Sequence, residues 1–163
     1  MTPLDWTALS PLQLLRAYAD ILEELRRREV VRSSNNPVAD YAEDLVSRAL
    51  GLSRVARSTK GHDAVAPDGR KYEVKALRQN QHNQRTQLSA IRGLPDKHFD
   101  FLVAVRFAAD FGIERAACIP HGIVAARASY VERTNSWTLH LLDSVWALPG
   151  VVDITQQIRQ AQS

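Results

Sequence analysis

Apolar residues recur at helical spacing near the start of the chain, at Leu14, Leu15, Tyr18, Ile21, Leu22 and Leu25. Arg16, Asp20, Glu23 and Arg27 fall on the other side. Ser10 can cap this helix, Pro11 suits its first position, and Gln13 completes a capping box. The helix is expected to run to about Glu29. After the polar linker Ser33–Asn36, a second helix is expected: Asn36 caps it, Pro37 starts it and Gly51 ends it. Its apolar face is Val38, Tyr41, Ala42, Leu45 and Ala49.

The period then changes. Leu52–Arg57 alternates weakly, as a short strand does, and 61–66 reads as a second strand. Pro67-Asp68-Gly69-Arg70 is a turn signal, and Lys71–Leu77 is expected to return as the other arm of a hairpin. Gln79–Gln84 reads as loop, and Thr86–Arg92 as a short helix stopped by Gly93 and Pro95. Phe99–Phe107 is nearly all apolar, the mark of a central strand buried on both faces. A strand over Gly112–Ile119, a helix over Pro120–Ala128, a strand over Ser136–Leu142 and a last helix capped by Asp153 complete the list. This order predicts an α/β domain: a mixed central β-sheet flanked by helices, with an N-terminal helix. One domain is expected over 1–163, divided into a helical extension (1–32), a core (36–107) and the remaining strands and helices (108–163).

Composition narrows the class. The chain has 163 residues, 45% hydrophobic and 24% charged, as globular domains do. No apolar run approaches the roughly 20 residues that cross a bilayer, so no membrane partner is expected. The N-terminus does not read as a signal peptide. One cysteine, Cys118, excludes an internal disulfide and a cysteine-built zinc site, which makes the cytoplasm the expected compartment. Net charge is only +3, but Arg48–Arg92 holds ten basic residues against three acids. Such a segment reads as a polyanion-facing surface or as an arginine-rich solvated face.

The hairpin brings chemistry to that segment. Side chains alternate along a strand, so Glu73 and Lys75 share one face about 6–7 Å apart, while Tyr72, Val74 and Ala76 take the other. Asp63 comes from the adjoining strand, within about 4.5–8 Å. Two carboxylates with water and phosphate oxygens make an open Mg²⁺ site, and a lysine beside it can orient the attacking water. The bland alternative is a polar hairpin face with an ordinary Glu–Lys pair.

Asp63, Glu73 and Lys75, with Glu43 on the preceding helix, resemble the PD-(D/E)XK nuclease superfamily over about Asn36 to Phe107. His62 stands where that motif's proline would be. The resemblance implies a restriction endonuclease-like core and metal-dependent cleavage of DNA. It implies Asp63, Glu73 and Glu43 as metal-binding acids for Mg²⁺, with Mn²⁺ as a substitute, and Lys75 as the residue that positions or activates water. Lys60, Arg78, Arg85 and Gln87 are the expected nucleic-acid contacts. The leucines of the first helix are expected to dock on the core or to meet a second copy of the chain. Two other readings stay open: a DNA- or protein-binding module on a nuclease-like fold that does not cut, and an interaction protein working through its first helix.

Overall fold

A computed structural model describes residues 5–163. Helix α1 (Pro11–Arg27) begins with the expected capping box: Ser10 Oγ accepts the Gln13 N–H, and Gln13 Oε1 accepts the Ser10 N–H. Helix α2 (Val38–Leu50) starts where the Asn36 side chain takes the Val38 N–H, and it ends at Gly51, whose φ of +64° is the left-handed closure glycine permits. Strands β1 (Ser53–Arg54), β2 (Ala64–Val65), β3 (Lys71–Arg78), β4 (Phe101–Phe107) and β5 (Ile113–Pro120) follow. Helix α3 (His121–Arg127), the small hairpin β6 (Ser129–Val131) and β7 (Ser136–Thr138), β8 (Val152–Asp153) and α4 (Thr155–Gln162) complete the chain.

The main sheet has six strands in the order β1-β2-β3-β4-β5-β8. Only β3 and β4 are parallel; every other neighbouring pair is antiparallel, so the sheet is mixed as expected. One face is covered by α2 and α4, which bury Leu45, Val46 and Ile158 against Val74, Val103 and Val105. The other face carries Leu102, Ala104, Ala117 and Ile119, packed against Leu88, Ile91, Val124 and Leu141. Strand β4 is therefore buried on both sides, which its nearly continuous apolar run requires.

Two expectations need correction. Thr86–Arg92 forms no helix. It runs extended beside the 137–141 segment, where Leu88 N donates to Leu139 O and Ile91 and Trp137 exchange both backbone bonds. Its backbone groups find partners across the chain rather than along it, and the buried Leu88, Ile91 and Leu94 fill the second face. The strand expected over Ser136–Leu142 keeps regular pairing only over Ser136–Thr138.

Helix α1 also differs from the ordinary amphipathic case. None of its residues is buried, and Leu12, Leu15, Tyr18 and Ile21 are at least half exposed. Its second half faces the body: Tyr18, Ile21, Leu22 and Leu25 share a crevice with Val30, Pro37, Tyr41 and Phe111. No helix among the described residues is long and apolar enough to cross a membrane.

Candidate functional site

The hairpin of β2 and β3 opens where Asp63 enters β2. Asp63 N donates to Tyr72 O at 2.8 Å, and Val55 N donates to Asp63 O at 3.0 Å, so this backbone is held from both sides. The Val74 N–H, which in a regular ladder would meet a backbone carbonyl, donates instead to Asp63 Oδ2 at 2.7 Å. The carboxylate thus sits in the seam between the strands. On β3, Tyr72 and Val74 pack under α2, and the alternation sends Glu73 and Lys75 to the opposite face. Lys75 Nζ lies 2.8 Å from Glu73 Oε1, both side chains being less than one-fifth exposed.

Glu43 approaches the seam from α2. It is gripped by two guanidinium groups, Arg32 at 3.2 Å and Arg54 at 3.6 Å. Asp63 feels the two other acids. Burial, then the charge of Glu73 and more weakly that of Glu43, push the Asp63 carboxyl up to about 7, against the Val74 N–H and Lys75 acting downward. Asp40, one helical turn before Glu43, has a different task. Its Oδ2 accepts the Arg32 and Ser33 N–H groups and the Ser33 hydroxyl, and these bonds hold it below the usual carboxylate range despite burial. It ties the linker to α2.

Arg32, Glu43, Arg57, His62 and Asp63 line a cleft of about 260 Å³. A second cleft, about 360 Å³, is lined by Arg78, Asn80, Asn83, Arg85 and Gln87. Asn36 and Ala39 line both, which makes the two clefts neighbours along one groove. Of the four expected nucleic-acid contacts, Arg78, Arg85 and Gln87 lie on this second stretch, Gln87 on an extended segment and not on the expected helix. Lys60 is exposed on the loop before β2. Arg78 is committed elsewhere: Nε and Nη2 both donate to Ala109 O, and the guanidinium lies 4.5 Å from the Phe111 ring centroid. The amides of the polar loop largely stitch the loop itself, Gln79 Nε2 bonding Arg85 O and Gln84 Nε2 bonding Asn80 O.

The donor set can be tested against a hard divalent cation. Carboxylate oxygens are the right ligands, and an acid pushed up by burial and then by two like charges is a place where added positive charge relieves repulsion. Asp63 and Glu73 fit the part of ligands that leave positions open for water and phosphate oxygens. Among the described residues, no three His, Cys, Asp or Glu side chains stand close enough to hold an ion together. Glu43 is turned to Arg32 and Arg54, and Glu73 to Lys75. Cys118 offers no competing nucleophile, since burial pushes its thiol up to about 11.

Arg32 and Arg54 are participants the sequence did not single out. Arg32 stands in the linker, eleven residues before Glu43, and no local spacing connects the two. The chain matches no protein-family model, and no curated protein matches it.

Proposed function

We propose that the protein is a metal-dependent deoxyribonuclease with a restriction endonuclease-like core, which hydrolyses DNA phosphodiester bonds using Mg²⁺, with Mn²⁺ as a substitute. The observation that carries the reading is the seam at Asp63. One carboxylate replaces a ladder carbonyl, a second acid and a lysine flank it on β3, and burial, then the charge of Glu73, raises its proton affinity while Lys75 opposes the rise. A structural hairpin has no need of such a cluster, because a buried like-charge pair costs stability.

The divalent ion, when bound, would supply charge neutralisation on the phosphodiester and a more acidic water. Asp63 and Glu73 would hold it. Lys75, tethered to Glu73, would donate from Nζ to the attacking water or to the developing negative charge. The Val74 N–H fixes the orientation of Asp63, so the pair reaches substrate already arranged. Arg85, Gln87 and Lys60 would meet the backbone beyond the reacting phosphate. A second copy of the chain is the partner we assign to the exposed stripe of α1, and sedimentation at working concentration would show a dimer.

A DNA-binding module that does not cut is the second reading. It is favoured by the occupation of Glu43 by Arg32 and Arg54. Nicking of supercoiled plasmid with Mg²⁺ or with EDTA decides between them: metal-dependent nicking supports the nuclease, and salt-sensitive binding without nicking supports the module.

A further inference from the structure

Arg32 joins three parts of the molecule at the edge of the acidic seam. Its backbone N–H bonds Asp40 on α2, its Nη1 donates to Val55 O beside β1, and its Nη2 reaches Glu43 Oε2 at 3.2 Å. Its Nε is shielded from solvent and has no hydrogen-bond partner among the described residues. A guanidinium presents Nε and one Nη as a two-pronged edge that matches the two oxygens of a phosphate or a carboxylate. Here Glu43 engages one prong and leaves the other unsatisfied, a buried donor that costs free energy until an acceptor arrives. The side chain is 26% exposed and lines the cleft with Asp63 and His62, so an oxyanion in that cleft can reach it. Arg57, which donates to Arg32 O, lines the same cleft.

We infer that Arg32 is a positioning residue that holds Glu43 in the free protein and exchanges it for a substrate phosphate, so that polyanion and divalent cation bind cooperatively. This rests on the nuclease reading of the seam. A phosphate oxygen pair satisfies both Nε and Nη2, and the released Glu43 turns its charge toward Asp63. Without a cation that movement is opposed, because Asp63 and Glu73 are already acidic neighbours. With a cation it is favoured. Each ligand therefore removes the obstacle to the other, and the coupling is reciprocal. Arg54 stays with Glu43 less closely, at 3.6 Å, and also faces Asp44 at 3.8 Å and donates to Glu29 O. Its Nε and Nη2 are likewise shielded and without a hydrogen-bond partner among the described residues, but Arg54 does not line the cleft with Asp63, so it does not follow the phosphate.

The test is calorimetric titration of Ca²⁺ into the full chain, alone and with a short duplex present, for wild type, Arg32→Ala, Arg32→Lys and Asp63→Asn. The expected result is that duplex tightens Ca²⁺ binding at least about fivefold in wild type. In Arg32→Ala the duplex-free affinity rises and the tightening falls toward onefold. Circular dichroism establishes that each variant is folded, and Arg32→Lys, which keeps the charge but lacks the two-pronged edge, must also lose most of the tightening. If Arg32 acts only through its charge, Arg32→Lys keeps the wild-type ratio and the inference is overturned, while the nuclease reading stands. If wild type and Asp63→Asn bind Ca²⁺ alike, the metal site itself is wrong and both fall.

Discussion

Replacing Asp63 by Asn should make the metal-free protein more stable, and the gain should depend on pH. Asn keeps the side-chain oxygen that accepts the Val74 N–H but carries no charge. The carboxyl ionises at 3.8 in its unperturbed state and at about 7 in the fold, raised by burial and then by Glu73. A folded-state value raised in this way favours the protonated form, so ionisation opposes folding. The penalty is absent below about pH 3.8, grows as pH rises, and is complete above about pH 7. At 1.36 kcal/mol per unit its ceiling is about 4 kcal/mol, and access of the side chain to the cleft reduces this to the order of 2–4 kcal/mol. At pH 5 only roughly a third of it has developed. Urea unfolding in EDTA at pH 5 and pH 8 measures both values. The expected result is a stabilisation at pH 8 that shrinks markedly at pH 5. An equal effect at both pH values, or a destabilised variant at pH 8, would refute the claim that burial and Glu73 oppose the ionisation of Asp63.

Lys75→Met leaves Glu73 without its cation and should destabilise the fold by about 1–3 kcal/mol in urea titration while ending any cleavage; unchanged stability would mean that the 2.8 Å pair contributes nothing. Arg85→Ala should leave stability unchanged and reduce by about one the slope of log affinity for DNA against log salt, whereas Arg78→Ala should lower stability by about 1–2 kcal/mol, because Arg78 serves Ala109 O and the Phe111 ring. The reverse pattern would exchange their roles. Gly61→Ala places a methyl 2.3 Å from the His98 Cβ at a φ of +82°, and should cost more than about 2 kcal/mol; His98→Gly in the same chain should restore part of that loss.

The parts of this fold that were legible in the sequence are those whose signals are local. The 67–70 turn between two alternating segments identified the β2–β3 hairpin, and with it Asp63, Glu73 and Lys75 as neighbours. The nearly continuous apolar run of β4 showed that both sheet faces are covered. Thr86–Arg92 misled because Leu88, Ile91 and Leu94 recur every third residue, a spacing that an extended segment can also bury when it lies across a sheet face. The stripe of α1 is a true helical stripe, but spacing alone does not say what covers it. The replacement of a ladder carbonyl by the Asp63 carboxylate, and the hold of Arg32 on Glu43, depend on where distant segments arrive. The polar run after β3 reads as loop in the sequence, but that most of its amides bond its own backbone does not show there.

The most direct test of the central claim is the conversion of supercoiled plasmid by wild type, Asp63→Ala and Lys75→Ala, each with Mg²⁺, with Mn²⁺ and with EDTA. The account predicts nicking by wild type with either metal, none with chelator, and loss of the activity in both variants while the fold persists by circular dichroism. Cleavage that survives Asp63→Ala, or that proceeds in EDTA, would contradict the assignment of the β2–β3 seam as the site of phosphodiester hydrolysis.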